Sequence, residues 1–328
     1  MNKKHHITTS KRLTIRSLLI LLALVLLSGT LAACGKKEDV KKIGILQLVQ
    51  HESLDAAREG FVAGLAKAGY EDGKNIKIDY LNASNDQANL KSMAERLVRD
   101  SDLVFAITTP AAQTVVNLEP KIPVVFAAVT DPVSAGLVDS LEKPGKNVTG
   151  ASDMAPIDVQ INLLLSLKPM DTVGLLYNAG EPNSVVQIDE AKRLLEAAGK
   201  TVVEMSAAST NEVSQVTQNL VAKVDGIYVP TDNTMASTAV TIGEITKEAK
   251  IPVVCGSVEQ VENGGVATVG INYTNNGEIA AQKAVEILKG ADAATIPVSV
   301  DTDVKLIVNS DMAAAIGLDP AAIVVPAR

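Results

Sequence analysis

Two cysteines, no tryptophan and an aromatic content of only 2% set the first limits on this chain of 328 residues. Cys34 and Cys255 alone give no disulfide framework. The histidines are His5, His6 and His51, so there is no Cys/His cluster of the kind that holds catalytic zinc. The lack of tryptophan disfavours a sugar site built on stacked indoles and leaves an amino-acid site available. The chain also has no GxSxG elbow, no GxxxxGK phosphate loop and no nucleophile with an evident base. No catalytic residue, metal or cofactor is therefore expected. Basic residues are outnumbered, 30 against 38 acidic ones, which makes nucleic acid and anionic membrane surfaces poor partners.

What is present begins at the N-terminus. An unbroken apolar run from Leu18 to Leu27 follows Lys3, Lys4, Lys11, Arg12 and Arg16, and is followed by Leu31, Ala32, Ala33 and Cys34. A basic region, a short apolar core and small residues before a cleavage point are the parts of an export signal, and this core is too short to span a bilayer. The cysteine that follows resembles the lipobox of bacterial lipoproteins. That likeness implies that residues 1–33 are a signal peptide, that Cys34 is acylated, and that residues 34–42 form a charged tether. The protein would then be held by lipid on the extracytoplasmic face of the cell membrane. With five basic residues gone, the remaining chain has a net charge of about −13.

The chain repeats itself at an offset of about 130 residues. The string from Lys121 to Val125 (KIPVV) recurs from Lys250 to Val254, and Leu65–Gly69 (LAKAG) aligns with Leu195–Gly199 (LEAAG). In the first half strands are expected near Ile43–Leu48, Ile76–Tyr80, Leu103–Ile107 and Val124–Ala127, with helices near Ser53–Ala68, Gln87–Arg99 and Ala111–Leu118. In the second the strands are Val173–Tyr177, Thr201–Met205, Gly226–Val229 and Val253–Cys255, with helices near Asn183–Ala198, Asn211–Lys223 and Asn233–Lys250. Alternation at this spacing predicts an α/β protein of two doubly wound parallel-sheet domains, each covered on both faces. The segments from Val266 onward return the chain between them.

In open parallel sheets a ligand binds beyond the carboxyl ends of the strands, where helix N-termini present unpaired N–H groups and a partial positive charge. The first-half candidates there are Gln47 and His51, then Thr108, Thr109, Ala111 and Ala112, then Thr130 and Asp131. Those of the second half are Tyr177, Asn178, Glu181, Asn183 and Ser184, then Asp232 and Asn233, then Ser257. In the segment TTPAAQT, Pro110 suits a first helical turn, Thr109 can cap it, and the small alanines let a carboxylate approach the backbone amides. Asp131 and Asp232 hold matched places and can serve as helix caps or face a ligand ammonium; Asp232 is the expected ammonium partner. His51 can donate to a ligand. Tyr177 can stack on a ring or pack on the sheet. Cys255 closes an apolar run and reads as a small buried thiol.

The strings ITTPAAQ (107–113), AVTDPVSAGLV (128–138), NVTG (147–150), YNAGEPNS (177–184) and VPTDNT (229–234) resemble those of the solute-binding lipoproteins of ABC importers, in the family that includes tryptophan- and phenylalanine-binding members. The resemblance implies a bilobed type I periplasmic-binding fold whose lobes are joined by three hinge crossings. Lobe 1 would comprise residues 43–148 and 262–297, and lobe 2 residues 149–261 and 298–328. The implied ligand is an amino acid, aromatic by family, held by a monomer between the lobes; the implied partners are an ABC permease and its ATPase. A ligand sensor for a membrane receptor, or an importer component for a branched-chain amino acid, sugar or nucleoside, are the alternatives.

Overall fold

The computed structural model describes residues 40–302 and 304–326. Cys34, the expected signal peptide and most of the expected tether lie outside the described residues. In chain order the first part contains β1 (Lys41–Gln47), α1 (Glu52–Lys67), β2 (Ile76–Asn82), α2 (Gln87–Asp100), β3 (Leu103–Ile107), α3 (Thr109–Val116), β4 (Val124–Val129) and β5 (Val148–Ser152). Next come α4 (Ile157–Leu167), β6 (Thr172–Tyr177), α5 (Pro182–Ala197), β7 (Thr201–Ser206), α6 (Thr210–Val221), β8 (Gly226–Val229), α7 (Asn233–Ala236), α8 (Ala239–Ala249), β9 (Val253–Cys255), α9 (Val258–Glu262) and β10 (Ala267–Gly270). The chain ends with α10 (Tyr273–Leu288), β11 (Ser299–Val300), β12 (Lys305–Val308) and α11 (Ser310–Ala315).

These strands form two six-stranded sheets of matching order, β11-β5-β4-β3-β1-β2 and β12-β10-β9-β8-β6-β7. Neighbours pair in parallel except β12, which runs antiparallel to β10. The strands at the centre, LVFAI in β3 and VVFAAV in β4, are buried at every residue, as expected when helices cover both faces of a parallel sheet. This is the type I periplasmic-binding fold.

The lobes exchange a helix. β5 ends the five-strand winding of the first sheet, yet α4, which follows it, packs on β8, β9 and β10 of the second. Conversely β10 belongs to the second sheet, and α10 packs against α1, β4 and β5 of the first. The α1–α10 contact is close because both helices present glycine: a Cβ on Gly60 would fall 2.1 Å from the Thr274 carbonyl oxygen, and one on Gly277 would fall 2.0 Å from that of Ala57. The chain passes between sheets after β5, after β10 and after β11.

This corrects the expected lobe boundaries. Residues 149–152 pair with β4 and β11 and belong to the first sheet, and residues 267–270 pair with β12, with Ala267 also on β9, and belong to the second. The first crossing therefore falls after residue 152 instead of 148, the second after residue 270 instead of 261, and the last after residue 300 instead of 297. The reason is that VTGAS in β5 has too few large apolar residues to read as a strand, although all five residues are buried. The helix expected over Asn233–Lys250 is likewise two. The hydroxyls of Ser237 and Thr238 both donate to the Thr234 carbonyl (2.9 Å each), competing with the helical ladder where α7 ends.

Candidate functional site

The two lobes meet along the carboxyl ends of their sheets. The N-terminus of α1 supplies three contacts across the cleft: Ser53 Oγ donates to Glu259 Oε2 (2.8 Å), Asn263 Nδ2 donates to Glu52 Oε2 (2.8 Å), and His51 Nε2 lies 3.5 Å from Asn233 Oδ1. The hydroxyls of Thr130 and Thr231 are 3.3 Å apart. Behind these contacts is a small cavity of about 20 Å³ whose walls include His51, Thr130, Asp153, Asn183, Asp232 and Tyr273. A second and larger one, about 270 Å³, is lined by Thr109, Asp131, Pro182 and Asn183 among others; Asn183 borders both.

The second-lobe wall is organised around the short helix α7. Asp232 caps it, accepting from Met235 N at 2.8 Å, and its other oxygen accepts from Asn178 N (2.6 Å) and Ser184 Oγ (2.7 Å). Glu181 reaches the same turn from the start of α5. It accepts from the backbone N–H groups of Asn233 (2.9 Å) and Thr234 (3.0 Å), and from the side chains of both residues. Carboxylates at a helix N-terminus answer its unpaired N–H groups and its dipole. Burial, and then the charge of Glu181, push the Asp232 carboxyl well above the usual carboxylate range. Asp232 borders the cavity, but both its oxygens are committed to protein donors, which makes it a cap first. Gln187, which sequence reasoning passed over, joins this wall by donating to Thr231 Oγ1 (2.6 Å).

The first-lobe wall is built of strained backbone. Thr108 at the end of β3 has φ 98°, and Ala128 near the end of β4 has φ 53°, both in the region that L residues with side chains avoid. Ala128 sits where the register of β4 against β5 shifts, and its N–H is held by Asn276 Oδ1 of α10 (3.0 Å). Thr108 turns its hydroxyl back to cap α3 through Ala111 N (3.3 Å), and its carbonyl accepts from Ala112 N (3.0 Å). The amides of Ala111 and Ala112, where a carboxylate is expected, are thus both bonded within their own turn. Pro110 has no N–H, both alanine amides are satisfied internally, and their side chains lie in the lobe core. The free group of this loop is Thr109 Oγ1, buried without a partner.

Other expected residues are placed as follows. Gln47 is buried and bonded to Val49, Asp55 and Tyr80 within its lobe. Asp131 caps its own turn through Val133 N, Ser134 N and Ser134 Oγ (3.1, 2.9 and 2.6 Å). Tyr177 turns its hydroxyl to Glu204 of β7 (3.2 Å). Ser257 borders the cavity and forms a capping box with Gln260. Cys255 is a buried thiol pushed up to about 12 by burial, unsuited to thiolate chemistry. Two residues that sequence reasoning missed border the cavity at the crossings: Asp153 follows β5, Tyr273 begins α10, and the tyrosine hydroxyl donates to Asp153 Oδ2 at 2.7 Å. Among the described residues no cluster of His, Cys, Asp or Glu is placed to hold a metal ion, and no helix is long and apolar enough to cross a membrane.

The family described as ABC transporter substrate binding protein matches residues 42–324. The chain belongs to that family. Among relatives of this substrate-binding protein is a tyrosine-binding protein of Clostridioides difficile, strain R20291, 43% identical over 282 residues that cover 84% of this chain and 82% of the relative. A solved structure of an ABC domain in complex with L-Trp from Streptococcus pneumoniae is 40% identical, with a TM-score of 0.82 over 88% of this chain and 96% of that one. The ligand-free, open structure of a substrate-binding protein with adhesive properties from Clostridium difficile is 45% identical but superposes less well, with a TM-score of 0.66 over 85% of this chain and 96% of that one. The poorer fit to an open molecule despite higher identity accords with the direct contacts across the cleft here, which describe a closed arrangement. Substrate-binding proteins of ABC transporters act outside the cytoplasm and bind a small ligand.

Proposed function

We propose that this chain is a lipid-anchored, monomeric substrate-binding protein that captures an amino acid between its lobes and delivers it to an ABC permease and its ATPase. The signal peptide 1–33 and acylated Cys34 would hold it at the extracytoplasmic face of the membrane. No catalytic step is assigned to it. The observation that carries the reading is the cleft between the two sheets, whose two adjoining cavities are walled by the carboxyl-end loops of both and bordered by buried polar groups. An aromatic amino acid is the proposed ligand, a reading supported by the tyrosine-binding and L-Trp-bound relatives, each of which aligns over more than four-fifths of the chain. Thr109, which lines the second cavity and whose buried hydroxyl has no partner, is the candidate to meet the ligand carboxylate at the start of α3.

Thermal unfolding tests this reading, since a ligand that binds only the folded state stabilises it by about 2.7 kcal/mol at a hundred times its Kd. L-tryptophan, L-tyrosine or L-phenylalanine should raise Tm by several degrees, whereas glucose, ribose and nucleosides should not. A rise with a sugar or nucleoside and none with any amino acid would replace the proposed ligand class.

A further inference from the structure

Three acceptors bordering the smaller cavity are buried without a donor: Asp153 Oδ1, Asn183 Oδ1 and His51 Nδ1. What the rest of each side chain does fixes their chemistry. Asp153 is only 3% exposed, and its second oxygen is the one that accepts from Tyr273. Asn183 Nδ2 donates to the Thr231 carbonyl at 2.8 Å, with Ser184 Oγ and Glu181 Oε2 also within 3.4 Å. The amide nitrogen therefore faces acceptors, and the oxygen left over is the group without a partner. For His51 the neighbour decides. Asn233 spends its Nδ2 on Glu181 (2.6 Å), so its Oδ1 can only accept, and His51 Nε2 must carry the proton. His51 Nδ1 is then a bare lone pair, and burial keeps the ring neutral by lowering its pKa to about 4.

The residues bordering the cavity include two acids, Asp153 and Asp232, and no lysine or arginine. Asp232 is answered by three protein donors, while one oxygen of Asp153 is not. Burial raises the Asp153 carboxyl above its ordinary value, and a cation beside it would favour the carboxylate; the complement of three acceptors, one of them this carboxyl, is a group with three N–H donors and a positive charge.

We propose that Asp153, Asn183 and His51 form the receptor for the primary ammonium of an amino-acid ligand, with Asp153 as its counter-charge. This rests on the amino-acid reading above and identifies, within it, the residues that distinguish an amino acid from its des-amino analogue. It also replaces Asp232 in that role. Asp153 lies on the first crossing and its partner Tyr273 at the second, so the ammonium would engage the segments that join the lobes.

The test is calorimetry on the full chain in detergent with L-tryptophan and its des-amino analogue indole-3-propionate. The wild type should prefer L-tryptophan by about a hundredfold or more. Asp153→Asn should cost L-tryptophan most of that advantage while leaving indole-3-propionate within about threefold, so that the preference collapses. A preference retained in Asp153→Asn, an equal loss for both ligands, or a collapse seen in Asp232→Asn instead would each overturn the receptor. If Asp153→Asn does not fold by circular dichroism, His51→Phe, which keeps a ring and removes the lone pair, should narrow the preference by about tenfold; an unchanged ratio overturns the proposal. If the wild type binds none of L-tryptophan, L-tyrosine and L-phenylalanine, the amino-acid reading fails and the receptor with it. If it binds one of them and Asp153→Asn leaves the ammonium preference intact, the receptor alone fails.

Discussion

In the second lobe the loop after β8 is held by Asp232, Glu181, Asn183, Ser184 and Gln187, a network in which most polar atoms have a protein partner. In the first lobe the loops after β3 and β4 rest instead on two left-handed residues, Thr108 and Ala128, and leave Thr109 Oγ1 without a partner. The cores differ in the same sense. Phe105 of β3 and Tyr228 of β8 occupy equivalent registers, opposite Ile45 of β1 and Leu175 of β6. Phe105 stacks on Phe61 with ring centroids 3.8 Å apart, whereas the Tyr228 hydroxyl donates to Gln160 Oε1 at 2.8 Å. Gln160 itself clips α4 to the Val269 carbonyl (2.9 Å), as Asn276 clips α10 to that of Ser152 (3.0 Å). One winding thus carries two kinds of wall. The hydrogen-bonded one is preorganised and leaves Asn183 Oδ1 unpaired, and the strained one leaves Thr109 Oγ1 unpaired.

The largest effect that would sharpen this contrast is on the matched aspartates. Asp232→Ala removes the acceptor for Met235 N, Asn178 N and Ser184 Oγ in a buried site, and should cost about 3 kcal/mol of stability in urea unfolding. Asp131→Ala removes a partly exposed turn cap and should cost about 1 kcal/mol. Equal losses would show that the second-lobe network is no more committed than the first-lobe turn.

The next effect is on pH. Burial of His51 outweighs the opposing pull of Asn233, Asp55 and Glu52 and lowers its pKa from 6.5 to about 4. The unfolded chain therefore binds the proton more readily across that window, and stability present above pH 6.5 is lost as pH falls toward 4. At pH 5 the loss from this group is on the order of 2 kcal/mol. His51→Gln should be less sensitive than the wild type by that amount when unfolding at pH 7 and pH 5 is compared. Identical pH profiles would mean that the latch at the start of α1 opens before the ring is protonated.

The smallest is relief of strain. Ala128→Gly frees a residue at φ 53° and should raise stability by roughly 0.5–1 kcal/mol, the left-handed cost less the entropy of glycine. A loss instead would show that packing of the methyl group, not backbone strain, governs this wall.

Residues 103–107, 226–229 and 253–255 are strands in the structure over the same bounds that their apolar runs predict, and the KIPVV and LAKAG repeats correspond to equivalent positions in the two lobes. Burial on both faces of a parallel sheet writes itself into local composition, so these elements and the doubling were legible in the chain. So was the cleft, because strand order alone sends the loops at 108–113, 130–131, 178–184 and 231–234 to one edge. The crossings were not legible. β5 has little apolar signal, and α4 is apolar on too many faces for a clear stripe, so the exchange of α4 and α10 between lobes had no local mark. Which polar groups stay unpaired is more distant still from local sequence. Asp153 meets Tyr273 across 120 residues and His51 meets Asn233 across 182, and whether a carboxylate caps a helix or waits for a ligand depends on which donors the folded chain brings to it. Local chemistry nominated the loops; long-range packing assigned Asp232 to the scaffold and left Asp153 with an oxygen to spare.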